Sequence, residues 1–159
     1  MFLKILDWLR IALVGIAFYV GNKIGFEQGY NPEAQLHFMI PVIIGSIAGI
    51  SGLEGLLWGN QSAKLKGYEQ GSNYQKQSAI AMLSYAVIAL LVYFINWGIK
   101  AELSIFFAFI FFLTFSGANH LMQAIKHKNY KWQNINRPFI TLLLIVGMIY
   151  PIVMALKNL

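Results

Sequence analysis

The chain has no cysteine among its 159 residues, so disulfide staples, thiolate metal sites and a cysteine nucleophile are all excluded. Charge is scarce too. Only 11% of residues are charged, against about a quarter in soluble domains. Acidic residues number 6 against 12 basic ones. A chain this poor in charge and 58% hydrophobic lacks the material for a water-facing exterior. There is no P-loop, no G-x-G-x-x-G and no nucleophile elbow, which removes the recognisable nucleotide-binding and hydrolase signatures. Internal repeats and low-complexity segments are missing as well, and the length is that of one domain, residues 1–159.

What the chain does contain is long apolar sequence, with a mean hydropathy of +0.60. Four runs, Phe38–Trp58, Ser78–Trp97, Leu103–Ile125 and Pro138–Leu156, reach the roughly 20 residues needed to cross a bilayer core. A weaker fifth comes first, Ile5–Gly25, with a clean apolar stretch only from Ile11 to Val20. Lys4 and Arg10 precede that stretch as they would in a signal peptide, yet no small-x-small cleavage site follows. An uncleaved helix is expected. The fold class is therefore all-α, a polytopic transmembrane helix bundle of five spans, or four if the first helix lies in the interface with Asp7 and Arg10 among the headgroups.

The positive charges mark sides rather than a nucleic-acid surface, because they lie between apolar runs and form no single stripe. With five spans, one side holds Lys4, Arg10, Lys64, Lys66, Lys76, Lys126, Lys128, Lys131 and Arg137, and the other holds Lys23, Lys100 and Lys157. Nine against three puts the N-terminus in the cytoplasm. Trp58 and Trp97 fall at span ends, where amphipathic rings favour the headgroup level. The short turn Gly98–Glu102 makes the third and fourth segments antiparallel neighbours. Pro138 is expected in a first helical turn, and Pro41 and Pro151 inside spans as kinks.

Chemistry-bearing residues are few. The second segment is rich in small residues, with Gly45 and Gly49 at G-x-x-x-G spacing, Ala48 and Gly52 repeating it, and Gly55 beyond. Close helix packing is the ready explanation; room for a ligand is the sharper one. Glu54 stands within this small face, and a charge inside a span belongs in the protein interior or a wet cavity unless it snorkels. The fourth segment supplies Asn119, His120 and Gln123. Glu54 and His120 both lie roughly 7–8 Å from their segment ends at 1.5 Å per residue, so they share a depth. Their shared azimuth is open. His127 follows His120 on one helical face, but about 10 Å away, too far to share a metal ion; no metal site is assigned and the cofactor is unknown. Ser72 and Gln75 have the spacing of a capping box opening the third segment.

Gly67-Tyr68, Gly71-Ser72-Asn73-Tyr74-Gln75 and Ala81-Met82-Leu83 resemble the DUF6790 family of small, uncharacterised bacterial membrane proteins, whose members have Gly-aromatic, Gly-Ser-Pro-aromatic-Gln and Ala-Asn-Leu at these intervals. His120, His127, Asn129-Tyr130 and Asn134 fall at the intervals of the family's Gly-His, His-Gly-Asn-Tyr and final Asn. The resemblance spans roughly residues 67–134. Asn73 stands where the family has Pro, Met82 where it has Asn, and Asn119 and Lys128 where it has Gly. The resemblance implies a polytopic protein of the bacterial inner membrane and brings no activity with it.

The functional expectation is a binding protein. Glu54, Asn119, His120 and Gln123 would line a cytoplasm-facing polar pocket between the second and fourth segments for a lipid- or quinone-like amphiphile, with His127, Tyr130 and the basic loop at its headgroup. The alternatives are a small transporter or proton-linked permease using Glu54 and His120, and an accessory subunit of a larger membrane complex. Nothing supplies a nucleophile or metal cage, so an enzyme is disfavoured. Expected partners are membrane lipids, an amphiphilic small molecule and further copies of the chain, and not nucleic acid.

Overall fold

A computed structural model describes residues 2–159, the side chain of residue 133 excepted. The described residues form six helices and no strand: α1 (Phe2–Phe26), α2 (Pro32–Leu57), α3 (Gly59–Lys66), α4 (Asn73–Ile95), α5 (Ile99–Lys126) and α6 (Trp132–Lys157). Local chemistry sets their ends. Asn31 caps α2 by accepting from the Ala34 N–H, and Pro32 opens the helix where its missing donor costs nothing. Three helices close with the same paired bonds. Tyr68 N–H reaches Ala63 O and Gly67 N–H reaches Lys64 O; Trp97 and Asn96 repeat this on Val92 and Tyr93, and Asn129 and Lys128 on Ala124 and Ile125. These are Schellman caps, whose turning residue sits at positive φ. Here those residues are Gly67 (74°), Asn96 (55°) and Lys128 (52°).

Four helices, α2, α4, α5 and the Asn134–Lys157 part of α6, are long and apolar enough to cross a membrane. The large side chains they turn outward fit lipid rather than water, among them Phe94 at 76% and Phe111 at 67% exposure. With α1 left out of the four, the expected fifth span rests on that helix alone. The helices outrun their apolar stretches, because polar residues wind on as helix beyond the lipid-length run. Pro138 accordingly does not open a helix. It lies inside α6, which is already wound from Trp132.

At the centre stands α2, half of whose span is buried against 28% in each of the others. Leu36, Met39, Ile40, Ile43 and Ile44 form the heart of the core with Phe106 and Phe109 of α5 and Met148 of α6. The small-residue face of α2 meets α4, as close packing requires. A Cβ on Gly52 would lie 2.6 Å from Leu83 Cγ, and one on Gly55 2.6 Å from Ala79 Cβ. Gly45, one half of the G-x-x-x-G pair, has open space beside it. The helix winds as π over Gly45–Gly49, and the extra residue in that turn changes which small side chains face α4. On the other flank, Ala17, Gly21 and Gly25 of α1 are buried at intervals of four, Gly21 against Met39 and Gly25 against Gln35.

These contacts set the directions. Phe2 touches Trp58 and Asn129 touches the end of α3, so the start of α1, α3 and the α5–α6 turn share one end, called the basic end below. At the other end Tyr30 packs on Tyr150, and His37 Nδ1 lies 2.5 Å from Glu102 Oε1.

Candidate functional site

The basic end is built around Glu54, only 2% exposed. After Trp58 the chain re-enters helix as α3, whose Ser62 and Lys66, four residues apart and so on one face, both turn onto that carboxylate. Ser62 Oγ donates to Oε1, and Lys66 Nζ lies 2.6 Å from the same oxygen and 2.6 Å from Ser62 Oγ. Arg10 of α1 pairs with Oε2 and is held from behind by Asp7 at 2.5 Å. A buried carboxylate is tolerable when paired and hydrogen-bonded, and Glu54 has three donors. Burial pushes the Lys66 ammonium below its ordinary value, as does Arg137, while Glu54 pulls it back.

A second cluster adjoins the first. The Schellman cap at Gly67 aims the Tyr68 ring at α5 and α6. Its hydroxyl donates to Asn134 Oδ1 and contacts His120 Nδ1, while Arg137 contacts His120 Nε2. The donor inventory fixes the protons. Arginine only donates, so Nε2 accepts and the imidazole carries its proton on Nδ1, donating to the Tyr68 oxygen. Burial pushes the Tyr68 phenol up, which keeps the hydroxyl that donates to Asn134. Asn134 Nδ2 then donates to Asn129 O at 3.2 Å and Lys66 O at 3.4 Å, and Asn129 Nδ2 to Lys66 O at 3.1 Å and Gly67 O at 3.2 Å. These amides satisfy carbonyls that the end of α3 leaves without helical partners. Every proton has one direction.

Glu54 and His120 thus belong to one end and one network without touching. Lys66 and Asn134 stand between them: the Lys66 side chain holds Glu54, and its carbonyl takes the Asn134 amide that in turn holds Tyr68. The other expected residues go elsewhere. Asn119 is exposed on a different face of α5; Gln123 is half-buried with no side-chain hydrogen bond among the described residues; His127 and Tyr130 are exposed. Ser72 precedes α4 but makes no side-chain cap, and Gln75 donates to Gly59 O instead, so the capping box does not form. Among the described residues no cluster of three metal-ligating side chains occurs. From the sequence, Lys66 and Arg137 enter only as charges that mark a side, Arg10 as a basic residue ahead of the first apolar stretch, and Ser62 not at all. The i,i+4 pairing of Ser62 with Lys66 beside a buried acid was the signal available.

Asn119 lies in a cleft of about 450 Å³ between α4 and α5, lined by Ser78, Tyr85, Phe111, Phe112, Phe115 and Ser116. A smaller hollow of about 260 Å³ lies between the end of α2, α3 and the start of α4, lined mainly by Trp58, Asn60, Ser72 and Gln75.

The sequence profile of a family of unknown function, DUF6790, matches residues 4–158, nearly the whole chain. The chain belongs to that family. The family match extends well beyond the 67–134 resemblance. No curated protein and no solved structure matches. Five of the positions that carried the resemblance meet in the network: Tyr68 bonds to both His120 and Asn134, and Asn129 and Gly67 meet beside them. Lys128 is the residue at positive φ that closes α5.

Proposed function

We propose that this integral membrane protein holds a lipid- or quinone-like amphiphile in the cleft between α4 and α5. The polarity gradient of that cleft carries the reading. Ser78 is near the start of α4, and Ser116 and Asn119 near the end of α5, all toward the basic end; Tyr85, Phe111, Phe112 and Phe115 lie deeper. From Asn119 to Phe111 is roughly 12 Å at 1.5 Å per residue. A headgroup at the polar mouth and an apolar tail along the rings match such a slot, and small-molecule sites combine mostly apolar walls with a few polar groups in this way. Glu54 and His120 serve by locking α1, α3, α5 and α6 behind the cleft. Gln123, and the exposed His127 and Tyr130 beside the basic loop, remain for headgroup contact.

The same reading has α1 cross as a fifth span, supported by its packing along α2 through Ala17, Gly21 and Gly25. The basic end then faces the cytoplasm of a bacterial inner membrane by the charge rule.

Native mass spectrometry of protein released gently from its membrane tests the proposal. A discrete adduct is expected on the wild type, and Ser116→Phe, which fills the cleft, is expected to remove it while the protein stays folded. An adduct retained at wild-type occupancy in Ser116→Phe, or none on the wild type, overturns the reading.

A further inference from the structure

The charges within the network at the basic end do not balance. Arg10, Lys66 and Arg137 bring three positive charges, Asp7 and Glu54 two negative ones, and both carboxylates are occupied by Arg10 and Lys66. Among the described residues no carboxylate oxygen lies within 4.0 Å of the Arg137 guanidinium. Its one side-chain partner among the described residues is His120 Nε2. That contact fixes the imidazole as neutral, and the Tyr68 hydroxyl keeps its proton for Asn134, so neither neighbour supplies the missing charge. An arginine carries five N–H donors in a planar fork. The others on Arg137 have no protein acceptor among the described residues, and the residue is half-buried. A half-buried guanidinium at the edge of lipid, with the cations Lys66 and Arg10 in the same network and no carboxylate of its own among the described residues, calls for an external counter-ion.

We propose that Arg137 is the anchor of an anion site at the basic end that takes a phosphate group, two of whose oxygens its planar fork binds at once. The phosphate belongs either to a phospholipid headgroup of the adjoining leaflet or to free inorganic phosphate. Lys66 and Arg10 set the positive potential of the site while remaining committed to Glu54, and His120 holds the guanidinium in place. The site uses none of the residues lining the α4–α5 cleft and does not depend on its occupant.

The test is a thermal melt of the full chain, delipidated in a neutral sugar detergent, against dioctanoyl phosphatidic acid, dioctanoylglycerol, and inorganic phosphate with chloride at matched ionic strength. These lipids differ only in the phosphate. Wild type is expected to be raised at about tenfold lower phosphatidic acid than dioctanoylglycerol, which corresponds to about 1.4 kcal/mol. R137Q abolishes that preference, R137K keeps part of it, and Ser116→Phe keeps all of it. Protection by inorganic phosphate over chloride, with nothing added by the acyl chains, identifies the free ion as the ligand. Equal responses to phosphatidic acid and dioctanoylglycerol with no phosphate effect on the wild type overturn the site, whether or not R137Q folds. An unchanged preference in a folded R137Q overturns it equally.

Discussion

The network at the basic end and the cleft between α4 and α5 sit on opposite sides of the same two consecutive residues, His120 and Asn119. His120 turns inward to a chain of hydrogen bonds in which each proton has one direction, joining α1, α2, α3, α5 and α6. Asn119 turns outward to rings and open space. A polar side chain that is fully partnered rigidifies the structure around it. One that is left open on an apolar surface has its donors and acceptors to offer. The comparison separates two kinds of polar residue that look alike in a hydrophobic sequence, and it turns on partners rather than on residue type.

The most forceful way to break this division is Glu54→Gln. The amide keeps the shape but removes the charge shared by Arg10 and Lys66, leaving two cations without their common partner. Breaking a buried ion pair from one side costs about 3–5 kcal/mol, and a large fall in the detergent melting temperature is the expected result. Glu102→Gln, at the opposite end, is the matched control. Glu102 has one partner, the half-buried His37, and its Oε2 has none, so its loss should be smaller. Equal losses at both ends would show that burial of a carboxylate, and not the network, sets the cost.

How far the sequence reveals this arrangement differs between the two regions. The helices were legible, because lipid-length apolar runs and short polar turns leave few alternatives, and the packing role of Gly52 and Gly55 follows from small residues on one face. Their ends were not: polar segments such as Asn73–Gln77 and Trp132–Arg137 are helical through local bonds that hydropathy does not register. Within the site, Glu54 and His120 stood out because a charge or an imidazole in an apolar run is conspicuous, and their common depth follows from helical rise. Lys66 and Arg137 did not, since they lie in or beside loops where such residues are ordinary, and Tyr68 and Asn134 stood out only through the family resemblance, with no role attached. What brings them together is the fold of α3 back onto the end of α2, set by the single non-helical residue Trp58 (φ −127°) and by Gly67. Asn119 was read as a partner of His120 because neighbours in sequence invite it, but consecutive residues on a helix do not share a face.

Lys128 sharpens the comparison from the network's side. It closes α5 at φ 52°, a conformation that glycine adopts without strain and a side chain does not. Lys128→Gly should raise stability by up to about 1 kcal/mol, because relief of roughly 1–2 kcal/mol of left-handed strain outweighs the about 0.4–1 kcal/mol cost of glycine's greater freedom in the unfolded chain. The cap also positions Asn129, whose amide bonds the end of α3, so the gain should vanish when Asn129→Ala is made in the same chain. A simple sum of the two effects would show that the cap and the network are energetically independent.

The smallest expected change is at Asn119. If its amide faces outward only to hold a ligand, Asn119→Leu removes nothing the fold uses, and the melting of ligand-free protein should stay within about 0.5 kcal/mol of wild type, the range of surface substitutions. A leucine at a lipid-facing position is even better solvated by acyl chains than an amide is. The measurement has to be made on delipidated protein, because a bound amphiphile stabilises the folded state by mass action and its loss would mimic a structural defect. Under that condition a loss of 1 kcal/mol or more would move Asn119 into the same class as His120, as a residue whose partner is part of the protein. A neutral result, combined with loss of the adduct, would leave the outward face of α5 with binding as its use.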